Sequence, residues 1–187
     1  MLSRFNFIPV FRGHWKSLSD GTTKEYKRDY FARTIILATP LGSSGAFYYF
    51  DGELKSADSL IAAVSLFAAA LLAVFTLLAT FRLRLTEMNS EGDEEKYSLE
   101  KDMLDESAAH ILSASFVCGL AAVSLGVGRN LFAASDGSVT GVFAWISVGL
   151  ISYVVIIFFI SVPRLYSAYV EMNGVRPRLD GFSKDTE

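Results

Sequence analysis

Leu60–Phe81 (LIAAVSLFAAALLAVFTLLATF) is an unbroken run of 22 residues without a single charge. At about 1.5 Å of rise per residue, a helix of this length covers roughly 30 Å, the thickness of a bilayer hydrocarbon core. A buried helix in a soluble domain has no need of so long an uncharged run, so the chain is expected to live in a membrane. Two further runs support this. Ser107–Ala134 is long enough to cross, although His110 lies near one end and Arg129 near the other, and Gly141–Val162 is uncharged and closed by Pro163 and Arg164. Thr34–Phe50 is a fourth and shorter run, interrupted by Pro40, Gly42 and Gly45. It must take length from its flanks, bend, or be shielded by protein. The expected fold class is therefore all-α, a polytopic membrane protein of about four transmembrane helices.

The charges fix an expected orientation. Of 17 lysines and arginines, 15 fall in three segments, namely 1–33, 82–106 and 164–187; Lys55 and Arg129 are the other two. The positive-inside rule puts these segments, and both ends of the chain, in the cytoplasm. The organisation expected is a basic, aromatic segment over 1–33, a four-helix membrane domain over 34–166 with a cytoplasmic loop 82–106, and a tail over 167–187. The location is the cell membrane, and the lipid bilayer is the first partner.

Local signals extend the helices beyond the membrane. Thr22–Glu25 has the form of a capping box, predicting a helix that runs through Tyr26, Tyr30 and Arg33 into the first span. Ser98 is placed to cap the third, and Asn173–Gly174 to end the fourth. Phe5, Phe7, Ile8, Val10, Phe11 and Trp15 alternate with Arg4, Arg12, His14 and Lys16. That composition predicts a segment that lies on the membrane surface or packs on the helices.

No catalytic constellation is visible, and an enzyme is not expected. His14 and His110 are far apart in sequence, the single Cys118 allows no internal disulfide, and no phosphate-binding loop or nucleophile elbow occurs. No metal or cofactor is implied. The four runs contain no Asp or Glu, which argues against a proton-coupled pump.

What remains are stripes of small residues and two charged segments. Ala62, Ser65, Ala69, Ala73, Thr76 and Thr80 recur at helical spacing in the second run. Ser107, His110, Ser113, Val117, Ala121, Ser124 and Gly128 do so in the third, and Ala38, Gly42 and Ala46 in the first. Such stripes either let helices pack closely, as in a homo-oligomer, or line a path. Because it holds His110, the third run is the best pore candidate, with His110, Ser113, Val117, Ser124 and Arg129 as lining residues. Arg129 is expected to snorkel, to pair with Asp136 or Asp51, or to favour anions at a pore mouth. Segment 1–33 nets +4 and loop 82–106 nets −5. Lys24, Lys27 and Arg28, set among aromatics, are the residues expected to hold a nucleotide or oligonucleotide ligand if ligand binding, not topology alone, explains the positive charge. The acidic loop and the tail are the surfaces expected to meet a cytosolic partner protein.

In this organisation (the uncharged helix Leu60–Phe81, the spans Ser107–Ala134 and Gly141–Val162, the basic aromatic start Phe5–Arg33) the chain resembles the small four-span membrane components of bacterial anti-phage systems of the Hailong and Kiwa types. The resemblance is one of architecture, and it carries no residue roles. It implies an oligomeric channel or pore-forming effector gated from the cytoplasmic side. The alternative is a non-conducting membrane anchor or sensor that docks a cytosolic partner protein.

Overall fold

The computed structural model describes residues 6–20, 27–28, 30–88, 98–132, 137–173 and 175. Five helices occur among them: α1 (Ile8–Ser17), α2 (Tyr30–Tyr49), α3 (Ala57–Met88), α4 (Ser98–Leu131) and α5 (Gly141–Met172). The class is all-α. Three helices, α3, α4 and α5, are long and apolar enough to cross a membrane, over Ala57–Glu87, Lys101–Leu131 and Gly141–Ser167. A multi-pass membrane protein is the physical consequence.

The helices pack in a row, α3 against α4, α4 against α5 and α5 against α2, while α1 lies on α4. Each neighbour runs antiparallel to the next. Arg82 of α3 meets Asp105 of α4 at one end, and Asp58 meets Arg129 at the other. A small antiparallel bridge, Leu54 to Val139, joins the turn after α2 to the turn before α5.

Residue size sets how close the helices come. A Cβ on Gly149 of α5 would overlap Ser44 Oγ and approach the Pro40 carbonyl, so glycine there lets α2 lie against α5. Ser44 Oγ uses that proximity to donate to the Trp145 carbonyl at 2.8 Å. Val64, Leu71, Leu78 and Leu85, each seven residues from the next, form the buried edge of α3. This is the seam spacing of coiled-coil packing.

Two expectations need correction. The helix predicted from Thr22 through Tyr26 into the first span does not form. Lys27–Arg28 is instead a short strand paired antiparallel with Ser19–Asp20, and α2 starts at Tyr30. The chain leaving α1 must reverse to enter α2, which a continuous helix would prevent; the capping-box residues 22–25 themselves lie outside the described residues. Pro163 does not close the fourth of the runs in chain order, whose membrane-length stretch is Gly141–Ser167, while the continuation of α5 beyond it to Met172 is as expected. The ends at Ser98 and Met172 agree with the predicted start and stop.

Candidate functional site

The site is the junction of α1 with the α4–α5 seam, at the end of the row that carries Glu106 and Arg164. Pro9, in the first turn of α1, suits a position whose amide has no helical partner. The end of α1 is held by side chains from elsewhere. A helix leaves its last carbonyls unpaired. Here Ser17 Oγ donates to His14 O at 2.8 Å, Arg33 Nη2 donates to Trp15 O at 2.9 Å, and Arg164 Nη1 donates to Ser17 O at 3.1 Å. Arg33 Nε also donates to Leu18 O at 3.1 Å, and its guanidinium lies 5.3 Å from the Trp15 ring centroid. Two cations therefore face the negative end of the α1 dipole. Apolar contact completes the attachment, with Phe7 and Phe11 packing on Phe116 of α4.

Within this junction His14 and His110, 96 positions apart in sequence, meet at Nδ1···Nδ1 2.6 Å, both almost completely buried. His14 Nε2 is 2.9 Å from the Tyr153 hydroxyl, and His110 Nε2 is 3.3 Å from Ser17 Oγ. One set of hydrogens closes the chain and leaves outside it only the 3.4 Å contact of Arg164 Nη1 with His110 Nε2. Tyr153 donates to His14 Nε2, His14 Nδ1–H donates to His110 Nδ1, and His110 Nε2–H donates to Ser17 Oγ, whose own proton goes to the His14 carbonyl. The chain is closed with both imidazoles neutral. Burial favours that state, pushing His14 down to about 4. Arg164 Nη1 meets Glu106 Oε2 at 3.0 Å, so the adjacent charges neutralise one another.

The structure places three of the five predicted pore residues, His110, Ser113 and Val117, inside the protein, with Ser124 half-buried and Arg129 partly exposed. His110, Ser113, Val117, Ala121 and Gly128 are buried, and Ser124 accepts from Ser147 Oγ of α5 at 3.0 Å. Their stripe faces α5 and α1. The hydroxyls of Ser107, Ser113 and Ser161 are buried and lack a hydrogen-bond partner. Between Ser113 and the Ser124–Ser147 pair the seam is apolar, with Val117, Ala121, Val154 and Ile157 all buried.

Arg129 pairs with Asp58, Nε to Oδ1 3.5 Å, so among the described residues its acidic partner is neither of the two expected. Its guanidinium also lies over Gly137, whose φ of +83° glycine alone adopts without strain. Asp136 lies outside the described residues, as does Lys24. Lys27 and Arg28 belong to the short strand. Sequence reasoning missed the histidine junction. The one local signal was Glu106, a helical turn before His110, and it is taken up by Arg164. Among the described residues no group of three His, Cys, Asp or Glu side chains is placed to hold a metal ion. Comparison with known protein families, curated proteins and solved structures finds no match to this chain.

Proposed function

We propose that the chain is a four-span membrane protein with both ends in the cytoplasm, and that it works as an oligomeric channel or pore-forming effector gated from that side. The span added to α3, α4 and α5 is α2. Its 20 residues cover roughly 30 Å, and it lies along α5 despite a weaker apolar run. The orientation rests on the lysine and arginine distribution, and places Arg164 and Glu106 at the cytoplasmic end.

The observation that carries conduction is the seam between α4 and α5. A buried hydroxyl without a partner costs on the order of 1–3 kcal/mol, and sites of that kind are where proteins hold water. Ser107, Ser113 and Ser161 provide three beside His110, and Ser124 and Ser147 continue the polar line beyond Val117 and Ala121. Polar ends separated by a short apolar block form a path closed by drying at its middle. α1 is the gate element, because it covers the cytoplasmic end of this seam and is joined to it by the His14–His110–Tyr153 chain. A nucleotide-type ligand acting through Lys24, Lys27 and Arg28 would pull on the segment that connects α1 to α2. Anti-phage defence is the setting the architectural resemblance implies.

A homo-oligomer is favoured by α3. Its stripe of Ala62, Ser65, Ala69, Ala73, Thr76 and Thr80 is exposed throughout, away from α4. Small residues on an open face are what close helix contacts in a bilayer use.

The test is ion flux in liposomes holding the purified protein, compared with His14→Ala and with Lys24→Ala/Lys27→Ala/Arg28→Ala. Flux is expected to rise in His14→Ala, where the gate is loosened. The triple variant should lose its response to added nucleotides or oligonucleotides while still assembling. Absence of flux in every variant would leave the second reading, an anchor or sensor. That reading is favoured by the projecting ends of α3 and α4, which expose Glu87, Asp102 and Asp105 to a cytosolic partner protein.

A further inference from the structure

Beside the junction, α1, α2 and α5, with Val117 of α4, line an open groove of about 980 Å³. Its walls are almost entirely apolar, with Phe11 and Trp15 from α1, Leu37 and Leu41 from α2, and Ile146 and Leu150 from α5. Tyr153 and His14 also line it. We propose that this groove is a binding site for an anionic phospholipid, with an acyl chain in the groove and the phosphate on the Arg12 guanidinium. The proposal rests on the membrane-spanning reading and is independent of whether the protein conducts.

Three observations lead to this occupant. The first is depth. Val117, Ile146, Gly149 and Leu150 belong to the apolar spans of α4 and α5, so an open groove at their level gives onto lipid chains. The second is polarity. A space of this size lined by hydrocarbon does not hold ordered water, since water needs polar partners, and leaving it empty forfeits dispersion contacts along every wall. A flexible alkyl chain supplied by the surrounding bilayer fills it. The third is charge. Arg12 lines the groove and is exposed, on a helix packed against the span portion of α4. A guanidinium at that position requires an anion or water, and its long stem lets the head rise toward the phosphate layer. An acyl chain joined to a phosphate answers both demands with one molecule, and the guanidinium binds phosphate through paired N–H donors.

The test uses tryptophan quenching in nanodiscs, where brominated acyl chains quench a nearby indole. Trp15 lines the groove; Trp145 does not, and packs on Tyr48. Trp145→Phe leaves Trp15 as reporter, and Trp15→Phe leaves Trp145 as a control for general lipid contact. In discs of equal bromine content, brominated phosphatidylglycerol is expected to quench Trp15 at least two-fold more strongly than brominated phosphatidylcholine. Trp145 should not discriminate. Arg12→Gln should remove the preference, and Leu37→Phe with Leu150→Phe should reduce Trp15 quenching by both lipids, with melting behaviour confirming that each variant is folded. Equal quenching of Trp15 by both lipids in every variant would overturn the site, reducing it to ordinary lipid contact. No quenching of Trp15 would mean that a second copy of the chain, or another part of this one, covers the groove. Failure to enter discs at all would sink the membrane-spanning reading itself, and the site with it.

Discussion

α3 and α4 lie side by side and carry stripes of small residues at the same spacing, yet the fold treats them in opposite ways. Half of the apolar window of α4 is buried within the chain, against 11% for α3. The stripe of α4 is turned inward, with Ala121 fully buried and Gly128 so close to α5 that a Cβ there would overlap Val139 and Phe143. The stripe of α3 faces outward, and the hydroxyls of Thr76 and Thr80 return to their own helix at the carbonyls of Leu72 and Thr76. In water, burial of apolar side chains would decide which face goes in. In lipid that force is absent, and packing and polar pairing decide. α4 has His110, which pairs with His14, and Ser124, which meets Ser147 of α5, so its stripe is inward. α3 has no such group, and it contributes its Val64, Leu71, Leu78 and Leu85 edge instead.

The largest effects should separate these two stripes. Ala121→Leu forces extra side-chain volume into a closed α4–α5 seam, and should cost about 3 kcal/mol or prevent folding. Ala69→Leu adds the same atoms to an open face, so protomer stability should move by no more than about 0.5 kcal/mol. If α3 is the oligomer contact, this second variant should instead shift the particle to smaller size in detergent. Thermal melting and size-exclusion profiles of the two variants give the comparison. Similar losses of folding from both would mean that α3 is enclosed by something other than lipid.

How much of this was legible follows from the same contrast. The uncharged run Leu60–Phe81 shows α3 in any reading, because length and apolarity are properties of a single segment. Which side of α3 packs was also present, in the seven-residue spacing from Val64 to Leu85, although the small residues were the more conspicuous pattern. The orientation of the α4 stripe was not legible, since periodicity identifies a face without saying what it meets. The histidine junction lay furthest from reach. It depends on α1 folding back on α4, and the reversal at Ser19–Asp20 and Lys27–Arg28 that allows this has no strong turn signature beyond Gly21. The predicted helix over Thr22–Arg33 followed local capping chemistry, which lost to the need for that reversal.

An intermediate effect should appear at the inward stripe and not at the outward one. His14 is held down to about 4 by burial, against 6.5 for a free imidazole. Between these values the undocked α1 binds more protons than the docked one, so docking is favoured at higher pH and weakens as pH falls from 6.5 toward 4. At pH 5 the docking equilibrium should be about 30-fold poorer than at pH 7.5 from this group alone. His110 and Tyr153 face His14 directly, while Arg164 and Glu106 face His110 and form a neutral pair beside it. Amide hydrogen exchange of α1 should therefore accelerate at pH 5 after correction for intrinsic rates. His14→Gln should flatten this dependence. An unchanged pH response in that variant would assign the proton to another group. Exchange in α3 should be indifferent to pH over this range.

The smallest effects should come from the two ion pairs that tie α3 to α4. Arg82–Asp105 is 3.0 Å and Arg129–Asp58 is 3.5 Å, one at each end of the shared interface. Their side chains are 35% and 57%, and 37% and 76%, exposed within a single chain. Pairs this open gain little over their separate hydration, and coupling of about 0–1 kcal/mol is expected for each. Arg82–Asp105 should sit at the top of that range, since Arg82 Nε reaches both carboxylate oxygens and Nη1 donates to Thr86 Oγ1. Double-mutant cycles with Arg82→Gln/Asp105→Asn and Arg129→Gln/Asp58→Asn, read by melting in detergent, give the two coupling energies. Raising salt should diminish both. A coupling above about 2 kcal/mol for Arg129–Asp58 would place that pair in a desolvated setting. The outer edge of α3 would then be covered in the assembled protein, and the contrast between an enclosed α4 and an open α3 would hold only for the isolated chain.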